Sequence, residues 1–573
     1  MIILAILYNS HDNSVAMIKD GVILFACSNE RFSRIKMDRG LPIQAIRECL
    51  HYTKIPTSKI DQVVFVGEPF PKSFIEVFRF FTMPVFLTRG RYWLWLKNPV
   101  LILKSLIYTS VLPAFLYREI YSPLRIRWEL RGFKKRYVFV PHHLSHLYSA
   151  YFTSGWKDCL VGCFEGSGLI KAVSLYDVKQ GRWTKITENS LPNSAGFFYT
   201  LSTYILGFKP VRHEGKITGL AAYGNPQKAS KLVESLISVK GLKIRVNYNL
   251  WQKIAVFCQL NKRPPPYLQK YSREDIAAAF QQRLEDCVLA IINLALLKYP
   301  ADKIAMAGGV MANVKLNQKI HDIGSVKHLF IHPAMGDDGI ALGAALYQAH
   351  QSGFKLGKLN DVYFGPAYTD QTILKALKKY QLSYRKVLNI EKEMAKLLAQ
   401  GHIIARFNGR MEYGPRALGN RSILCQATDV KINQILNQKL KRTEFMPFAP
   451  VVLKRLAPKC FKNLRGAEYS AKFMTITFEC TDYMKRRCPA VVHVDGTARP
   501  QILSKSDNPS YYKILNEYYK ITKIPALINT SFNLHEEPIV CTPDDAIRAV
   551  LAGELDYLAI GNYLVVRTQA AKN

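Results

Sequence analysis

The chain has few acidic residues for its length. Asp and Glu together number 43, against 79 Lys and Arg in 573 residues, so the formal net charge is +36. This excess indicates an anionic partner, which can be a nucleic acid, a membrane surface or a polyanionic substrate such as ATP. Nucleic acid is the weakest of these expectations, because the sequence has no helix-turn-helix, zinc-finger or RNP-type pattern.

Closely spaced cysteine pairs are also missing, and the N-terminal stretch does not have the pattern of a signal peptide. None of the 11 cysteines forms a C-x-x-C pair, and Cys159, Cys163 and Cys425 lie in apolar surroundings. Reduced thiols of a cytoplasmic protein explain this pattern better than a disulfide framework or a structural zinc site. The N-terminal stretch MIILAILYNS has no basic segment before its apolar residues, so we expect no signal peptide.

An uninterrupted membrane-spanning run is lacking as well. Residues 98–117 are apolar over nearly the required length, but Lys104 and Pro113 interrupt them. They belong to a region rich in aromatic and basic residues, 72–136, which ends in a cationic run. We expect a helical subdomain packed on its neighbour. The alternative is an amphipathic element that contacts an anionic membrane surface.

What is present is the composition of a globular protein. Hydrophobic residues make up 49% of the chain and charged residues 21%. A chain of this length is too long for one core, so we expect two or more domains. Turn-type residues gather at 357–369, and we place a domain boundary there.

Two histidines and two carboxylates are candidate metal ligands. In the stretch PHHLSH, His142 and His146 are four residues apart, which places them on one face of a helix within reach of one ion. Such a pair also arises by chance on surface helices. Glu165 follows an apolar strand, and Asp337 lies in the loop HPAMGDDG. A mixed nitrogen and oxygen site of this kind suits iron, manganese or zinc better than calcium.

Three further segments of this half carry polar residues beside glycines or turns. His11, in the turn SHDNS, can act as a base or bind phosphate, although a plain Asx turn explains its neighbours. Lys216 lies in HEGK, just before GLAAYG. Gly308, Gly309 and Asn313 lie where a strand gives way to a helix, an arrangement that suits a bound nucleotide.

The stretch NGRMEYGPRALGNRSIL, residues 408–424, concentrates arginine and glycine. Arg410, Arg416 and Arg421 have planar guanidinium groups that can hold phosphate or carboxylate oxygens in pairs. Glycine lets the backbone approach a ligand closely. By residue types alone, a turn that contains a structural ion pair explains the stretch equally well.

Basic and small polar residues recur in the segments that follow. Lys439 and Lys441 lie in KLKR, Arg499 ends HVDGTAR, and NTSFN contains Asn529 and Ser531. Together with the stretch 408–424 they can form one anion-binding pocket.

The motifs, taken together, resemble the O-carbamoyltransferases of the nodulation and antibiotic-tailoring type along nearly the whole chain. The matching stretches are GRMEYGPRALGNRSIL, PFAP, HVDGTAR, NTSFN, EPIV, EGK, GLAAYG, AGG and HHLSH. The resemblance implies a mixed α/β protein. Residues 1–365, with the insert 72–136, would form a domain of the actin-like ATPase superfamily, akin to the tRNA threonylcarbamoyl-transfer enzymes. Residues 366–573 would form a YrdC-like domain that makes carbamoyl-adenylate.

The resemblance also implies the reaction. The family condenses carbamoyl phosphate with ATP, releases pyrophosphate, and passes the carbamoyl group to an acceptor hydroxyl on a sugar-containing compound or natural product. ATP would bind with Mg²⁺, and Fe²⁺ or another divalent transition metal would be the cofactor. The implied catalytic residues are His11 as the base, Arg416, Lys439 or Lys441, Arg499 and Ser531. The implied nucleotide-binding residues are Lys216, Gly308, Gly309, Asn313, Arg421 and Asn529. The implied metal ligands are His142, His146, Glu165 and Asp337.

The sequence departs from the family pattern at three positions. Glu165 stands where the family usually has Asp, Met446 replaces the arginine before PFAP, and Glu536 replaces the glycine before EPIV. These changes bear on fine specificity more than on reaction class.

Two other classes of function remain alternatives. One is a sugar kinase or a tRNA threonylcarbamoyl-type transferase of the same fold. The other is a basic membrane- or nucleic-acid-binding protein without catalysis. We expect carbamoyl phosphate, ATP and a hydroxyl-bearing small molecule or glycan as partners, and no nucleic acid. We expect a cytoplasmic protein and leave peripheral membrane contact and a homodimer open.

Overall fold

The computed structural model describes residues 1–8, 10–67, 121–168, 170–442 and 446–566. Contacts between the described residues divide them into two units. Unit 1 comprises residues 1–29, 38–312 and 335–358. Unit 2 comprises residues 30–37, 313–334 and 359–573.

The described part of unit 1 combines strands and helices. Its strands are β1 Ile2–Leu7, β2 Ser14–Lys19, β3 Val22–Ser28, β4 Gln62–Val66, β5 Tyr137–Val140, β6 Cys159–Gly168, β7 Lys171–Lys179, β8 Arg182–Ser190, β9 Ile237–Lys240, β10 Lys243–Val246 and β11 Lys303–Ala307. Its α-helices are Ile43–Thr53, Ser122–Glu129, His142–Ser154, Ala195–Ile205, Glu214–Ala221, Ser230–Leu236, Tyr248–Asn261, Arg273–Lys298 and Ile340–Gln351.

The N-terminal sheet of unit 1 has the strand order β3-β2-β1-β4-β5. β1 pairs antiparallel with β2 and parallel with β4. Asp20 and Gly21 connect β2 to β3 with positive φ angles of 50° and 81°, as a tight two-residue hairpin turn requires.

A second sheet of unit 1 brings two candidate segments to one edge. β6 pairs parallel with β11 and antiparallel with β7, which in turn pairs with β8. Because parallel strands end at the same edge of a sheet, the glycines that follow β11 lie beside the end of β6 that carries Glu165. The long helix Arg273–Lys298 of this unit is capped by the Ser272 side chain.

Unit 2 is also mixed. Its strands are β12 His328–Ile331, β13 Tyr384–Lys386, β14 Ile404–Phe407, β15 Arg421–Gln426, β16 Ala449–Leu453, β17 Phe478–Glu479, β18 Thr497–Ala498, β19 Gln501–Leu503, β20 Ala526–Ser531, β21 Tyr557–Ile560 and β22 Tyr563–Val566. Its α-helices are Glu30–Ser33, Val314–His321, Asp370–Lys379, Ile390–Ala399, Lys431–Lys439, Ala457–Cys460, Glu468–Ala471, Asp482–Arg487, Pro509–Thr522 and Pro543–Ala552.

An eight-stranded sheet in the order β13-β22-β21-β14-β15-β20-β16-β19 forms the centre of unit 2. β14 and β15 are antiparallel, so residues 408–420 form the loop that joins them at one edge. β20 is antiparallel to β15, with Ser531 opposite Ser422, and therefore ends at the same edge. The sheet thus brings the arginine-rich loop and NTSFN together.

The predicted α/β class is confirmed by these sheets and helices. The division into 1–365 and 366–573 stays a prediction, because the contacts change units at residue 359 but also assign 30–37 and 313–334 to unit 2. Residues 72–120 of the predicted insert lie outside the described residues, and the remainder contains the helix Ser122–Glu129. None of the described helices is long and apolar enough to cross a bilayer.

Candidate functional site

The helix His142–Ser154 in unit 1 presents the two predicted histidines on one face. It starts after Pro141 and ends at Gly155, which has a φ of 74°. The ring centroids of His142 and His146 are 5.0 Å apart, and His146 is fully buried. The spacing of four residues therefore brings both imidazoles to one place, as predicted.

Two buried carboxylates face these imidazoles. His146 Nε2 lies 3.2 Å from Glu165 Oε1 and 3.4 Å from Asp337 Oδ1, and His142 Nε2 lies 3.3 Å from the same Asp337 oxygen. One ligand atom from each of the four residues can be chosen so that all lie within 4.8 Å of one another. The structure thus assembles the predicted ligands from three separate chain segments.

The residues of this cluster fit a divalent transition metal. The Nε2 atoms of His142 and His146 are buried and find no hydrogen-bond partner among the described residues. Buried polar atoms normally form hydrogen bonds. Two imidazole nitrogens without such bonds, beside two carboxylates, are therefore arranged as the ligands of a cation. A set of two imidazole nitrogens and two carboxylate oxygens suits iron, manganese or zinc.

The charges in the cluster are mutually compensating. Burial raises the pKa of Asp337, but the neighbouring His142 and His11 outweigh this effect and hold it well below its usual range. Burial likewise lowers the pKa of His142, yet Asp337 and Glu165 raise it overall. The positive charge on His142 and the two carboxylates thus stabilise one another, and a bound cation would take over this compensation.

Polar groups around the cluster hold the carboxylates in place. The Gly309 N–H donates a hydrogen bond to Glu165 Oε1, and Ser10 Oγ donates one to Asp337 Oδ2. Gly308 has a φ of 102°, and a Cβ at this position would lie 2.2 Å from the Phe164 carbonyl oxygen. The double glycine therefore lets the backbone pass close enough to orient Glu165. Its nucleotide-binding role stays a prediction.

His11 lies at the border of the cluster. Its Nδ1 is 2.7 Å from Asp12 Oδ2, its Nε2 is 3.8 Å from Asp337 Oδ2, and 35% of its side chain is exposed. Burial lowers the pKa of His11, but Asp337 and Asp12 outweigh it and raise the pKa to about 10. A cation bound to Asp337 would offset that carboxylate and lower the pKa of His11 toward the range of a general base.

Glu214 is a candidate that the sequence analysis missed, although it belongs to the EGK motif that drew attention to Lys216. Its carboxylate accepts hydrogen bonds from Thr200 Oγ1 and the Val211 N–H. Burial raises its pKa, and it interacts electrostatically with His11. Lys216 lies on the same helix, Glu214–Ala221. Asn313 caps the helix Val314–His321 and belongs to unit 2, unlike Gly308 and Gly309.

In unit 2, buried polar contacts hold the loop 408–420. Glu412 Oε1 accepts hydrogen bonds from the N–H groups of Leu418, Asn420 and Arg421. The fully buried Arg421 donates to the carbonyl oxygens of Asn408 and Gly409, and its guanidinium carbon lies 3.6 Å from the centroid of the Phe407 ring. This geometry favours a loop-holding role for Arg421, and its predicted contact with nucleotide stays untested.

The remaining candidates of unit 2 meet around β20. Asn529 Nδ2 donates to the Ala417 carbonyl oxygen and to Gln501 Oε1, so it links the loop of Arg416 to the strand that follows Arg499. Arg416 and Arg499 are both half-buried. The structure therefore brings these two arginines' segments and Asn529 together.

The motif KLKR contains the two predicted lysines and one further candidate, Arg442. Lys439 Nζ donates to the Glu554 carbonyl oxygen at 2.5 Å. Lys441 has a φ of 54°, and the following Arg442 donates to Ser531 O and Asn533 Oδ1, both at 2.8 Å. Arg442 is the last residue of the motif KLKR, but it was not among the predicted site residues. Its contacts with NTSFN make it a further candidate.

An α/β chain with a buried histidine–carboxylate cluster and arginine-bearing loops has the make-up of a group-transfer enzyme that acts on an anionic substrate. Comparison with protein families identifies the group. Residues 2–346 match the family described as "Carbamoyltransferase N-terminus", and residues 395–567 match "Carbamoyltransferase C-terminus". The chain belongs to the carbamoyltransferase family, which confirms the resemblance seen in its motifs and makes it a transferase.

Relatives match over nearly the full length. An uncharacterized protein of Methanocaldococcus jannaschii is 34% identical, with 99% of each chain covered. The nodulation protein NolNO of Sinorhizobium fredii is 31% identical over 98% of this chain and 80% of its own length. Nodulation protein U of Rhizobium tropici is 28% identical over 98% of this chain and 96% of its own length.

Solved structures resemble the chain only distantly. Component A of the (R)-2-hydroxyglutaryl-CoA dehydratase of Acidaminococcus fermentans is 15% identical, covers 62% of this chain and 99% of its own, and has a TM-score of 0.35. Full-length HypF is 10% identical, covers 61% and 55%, and has a TM-score of 0.32. The actin-like and YrdC-like assignments therefore stay predictions.

Proposed function

We propose that this carbamoyltransferase is ATP-dependent and works in two half-reactions. In the first, carbamoyl phosphate, ATP and water give carbamoyl-adenylate, pyrophosphate and phosphate. In the second, the carbamoyl group moves from AMP to an acceptor hydroxyl. The observation that carries the proposal is the segregation of chemistry: the buried histidine–carboxylate cluster lies in unit 1, and the arginine-bearing loops lie in unit 2.

Unit 2 suits the first half-reaction. Joining a carbamoyl group to the α-phosphate brings several negative charges together, and fixed cations stabilise such a transition state. Arg416 and Arg499 supply planar, permanently charged donors. Asn529 and Arg442 tie β20 to the neighbouring loops, so the donors are held before substrate binds.

Unit 1 suits the second half-reaction. His142, His146, Glu165 and Asp337 would hold Fe²⁺ or another divalent transition metal, which when bound supplies Lewis acidity toward the carbamoyl group or its phosphate. Gly309 and Ser10 keep the two carboxylates oriented. His11 lies beside Asp337 and would take the proton of the acceptor hydroxyl.

Pyrophosphate release tests the division of labour. The wild-type protein should release pyrophosphate from ATP only when carbamoyl phosphate is present. His146→Ala should keep this release but lose carbamoyl transfer by orders of magnitude, because it removes a ligand in unit 1 alone. Pyrophosphate release that does not depend on carbamoyl phosphate, or that disappears in His146→Ala, would overturn the proposal.

We also propose that, if the region 72–136 contacts an anionic membrane surface, the acceptor is lipid-linked. The helix Ser122–Glu129 and the residue before it expose Tyr121, Leu124 and Trp128, at 51%, 58% and 64%. Their spacing of three and four residues places them on one face. Arg127 and Arg131 lie within the same stretch, and such cations strengthen contact with an anionic membrane surface. A hydroxyl on a glycan at that surface would then be the acceptor, with the enzyme peripheral to the cytoplasmic leaflet.

A further inference from the structure

Unit 2 contains two segments from the part of the chain that matches the N-terminal family model. These are residues 30–37 and 313–334, whereas the C-terminal model starts at residue 395. The predicted anion site of unit 2 comprises the loops that carry Arg416 and Arg499 together with NTSFN. Each of the two segments places at least one cationic side chain against a loop of this site or next to it. The contacts of Arg31, Arg34 and Lys315 with three different loops show this.

Arg31 reaches the loop that carries Arg416. Its side chain is only 4% exposed, and its Nη2 donates to the Gly414 carbonyl oxygen at 2.9 Å. Gly414 has a φ of 95°, and a Cβ there would lie 3.1 Å from the Pro333 carbonyl oxygen. Both segments thus meet at Gly414, two residues before Arg416. A hydrogen bond from a charged donor to a carbonyl oxygen is strong, so this contact fixes the backbone at Gly414.

Arg34 reaches the segment that follows β20. Its two terminal nitrogens donate to the carbonyl oxygens of Pro538 at 2.7 Å and Ile539 at 2.8 Å. The next residue, Val540, donates its N–H to the Phe532 carbonyl oxygen at 2.9 Å. Arg34 is therefore linked to NTSFN indirectly, through residues 538–540.

Lys315 reaches the loop that carries Arg499. Its Nζ lies 2.7 Å from Asp495 Oδ2. Asp495 Oδ1 in turn accepts hydrogen bonds from the N–H and the hydroxyl of Thr497, two residues before Arg499. Asp495 thus connects the helix Val314–His321 to Thr497, at the start of the segment that carries Arg499.

We propose that Arg31 and Lys315 are positioning residues for the anion site of unit 2, Arg31 through Arg416 and Lys315 through Arg499. The inference rests on the proposed adenylate-forming role of this unit. Neither residue needs to touch substrate. Each fixes the backbone that presents a substrate-binding guanidinium, and a shift of about 1 Å in such a group is enough to lower activity by roughly 100-fold.

Double-variant cycles on the full-length protein test the inference, with ATP and Mg²⁺ as the probe. Arg31→Met should weaken ATP binding, measured by calorimetry, and raise the KM for ATP in pyrophosphate release, each by about 10-fold. Because Arg31 acts through Arg416, the pair Arg31→Met with Arg416→Met should be no weaker than Arg416→Met alone, within about 2-fold. The pair Lys315→Met with Arg499→Met should behave in the same way.

The matched control variants replace exposed cationic residues that lie in or next to the same two segments. Arg39 and Lys319 are exposed, and Lys319 lies on the same helix as Lys315. Arg39→Met and Lys319→Met should leave ATP binding unchanged. If Arg31→Met does not fold, Arg31→Lys takes its place in the cycle, because the shorter cation keeps the charge but loses the planar fork.

The outcomes separate this inference from the proposed function. Additive losses in the cycles, or binding equal to wild type in Arg31→Met, would overturn the inference, since a residue that only stabilises the fold gives independent effects. A wild-type protein that binds ATP but releases no pyrophosphate would overturn adenylate formation and leave the binding cycles to decide the inference. A wild-type protein that does not bind ATP would overturn both.

Discussion

Replacing His146 by alanine tests the candidate metal centre most directly. The imidazole is fully buried and faces Glu165 and Asp337 at 3.2 and 3.4 Å, so no solvent-exposed group can take its place. The variant would leave His142 and the two carboxylates as three possible ligands. We expect metal binding to weaken strongly, because the variant loses one of the four side chains that would hold the metal.

The size of the effect on stability follows from the metal affinity that is lost when one ligand is removed. Loss of a group that merely orients a ligand costs about 10- to 100-fold in metal affinity, so loss of the ligand itself should cost at least about 100-fold. Metal at 100 times its Kd stabilises the folded state by about 2.7 kcal/mol. The same metal concentration would then only equal the Kd of the variant and stabilise it by about 0.4 kcal/mol.

The measurement is the shift of the urea unfolding transition on adding Fe²⁺ or Mn²⁺ without oxygen, for wild type and variant at one metal concentration. His51→Ala is the control, because His51 is an exposed histidine of unit 1. Calorimetry on the same samples should give one metal per chain for wild type and control. Equal metal-dependent stabilisation of wild type and His146→Ala would refute the assignment of the cluster as a metal centre.

Three further predictions concern other parts of the chain. Arg499→Lys should reduce pyrophosphate release sharply while carbamoyl transfer from supplied carbamoyl-adenylate continues, since lysine lacks the bidentate fork; full release would make Arg499 a structural residue. Burial raises the pKa of Asp545, but Arg34 and hydrogen bonds from Thr542 lower it overall, so its stabilising effect is present above its usual pKa and lost as the pH falls through the folded pKa. The difference in free energy of unfolding between wild type and Asp545→Asn should therefore be constant from about pH 8 to pH 5 and shrink below about pH 4; a difference that grows there would contradict the assignment. Trp128→Ser should reduce sedimentation with anionic liposomes, and binding that is equal for neutral liposomes or insensitive to salt would argue against membrane contact.

The local patterns of the sequence predicted local structure well. The spacing of His142 and His146 predicted one helix face, because this feature depends on residues close together in the chain. The apolar run before Glu165 predicted a strand, which is present as β6 and continues past Glu165 to Gly168 with a shift in register after Phe164. These predictions need only the periodicity of helices and strands.

Contacts between distant residues could not be predicted in this way. Nothing in the sequence pairs Ser10 with Asp337, or Arg31 with Gly414, since such contacts arise from the packing of sheets and helices. Arg421 illustrates a second limit. An arginine in a glycine-rich loop can hold a ligand or the loop itself, and both roles require the same residue type.

The discontinuous make-up of unit 2 has a consequence for how the protein is made. Residues 30–37 leave the ribosome long before residues 359–566, which contain most of their partners. Roughly 500 residues separate Arg34 from Asp545, and translation at about 5–20 residues per second needs roughly 25–100 s to cover them. Arg31 lacks its acceptor until Gly414 has been made, and Arg34 lacks the carbonyl oxygens of Pro538 and Ile539 until almost the end of that interval. Unit 2 therefore completes its fold only after residue 539 has been made, and a nascent chain stalled before that point leaves Arg34 without the Pro538 and Ile539 carbonyl oxygens that it contacts in the finished protein.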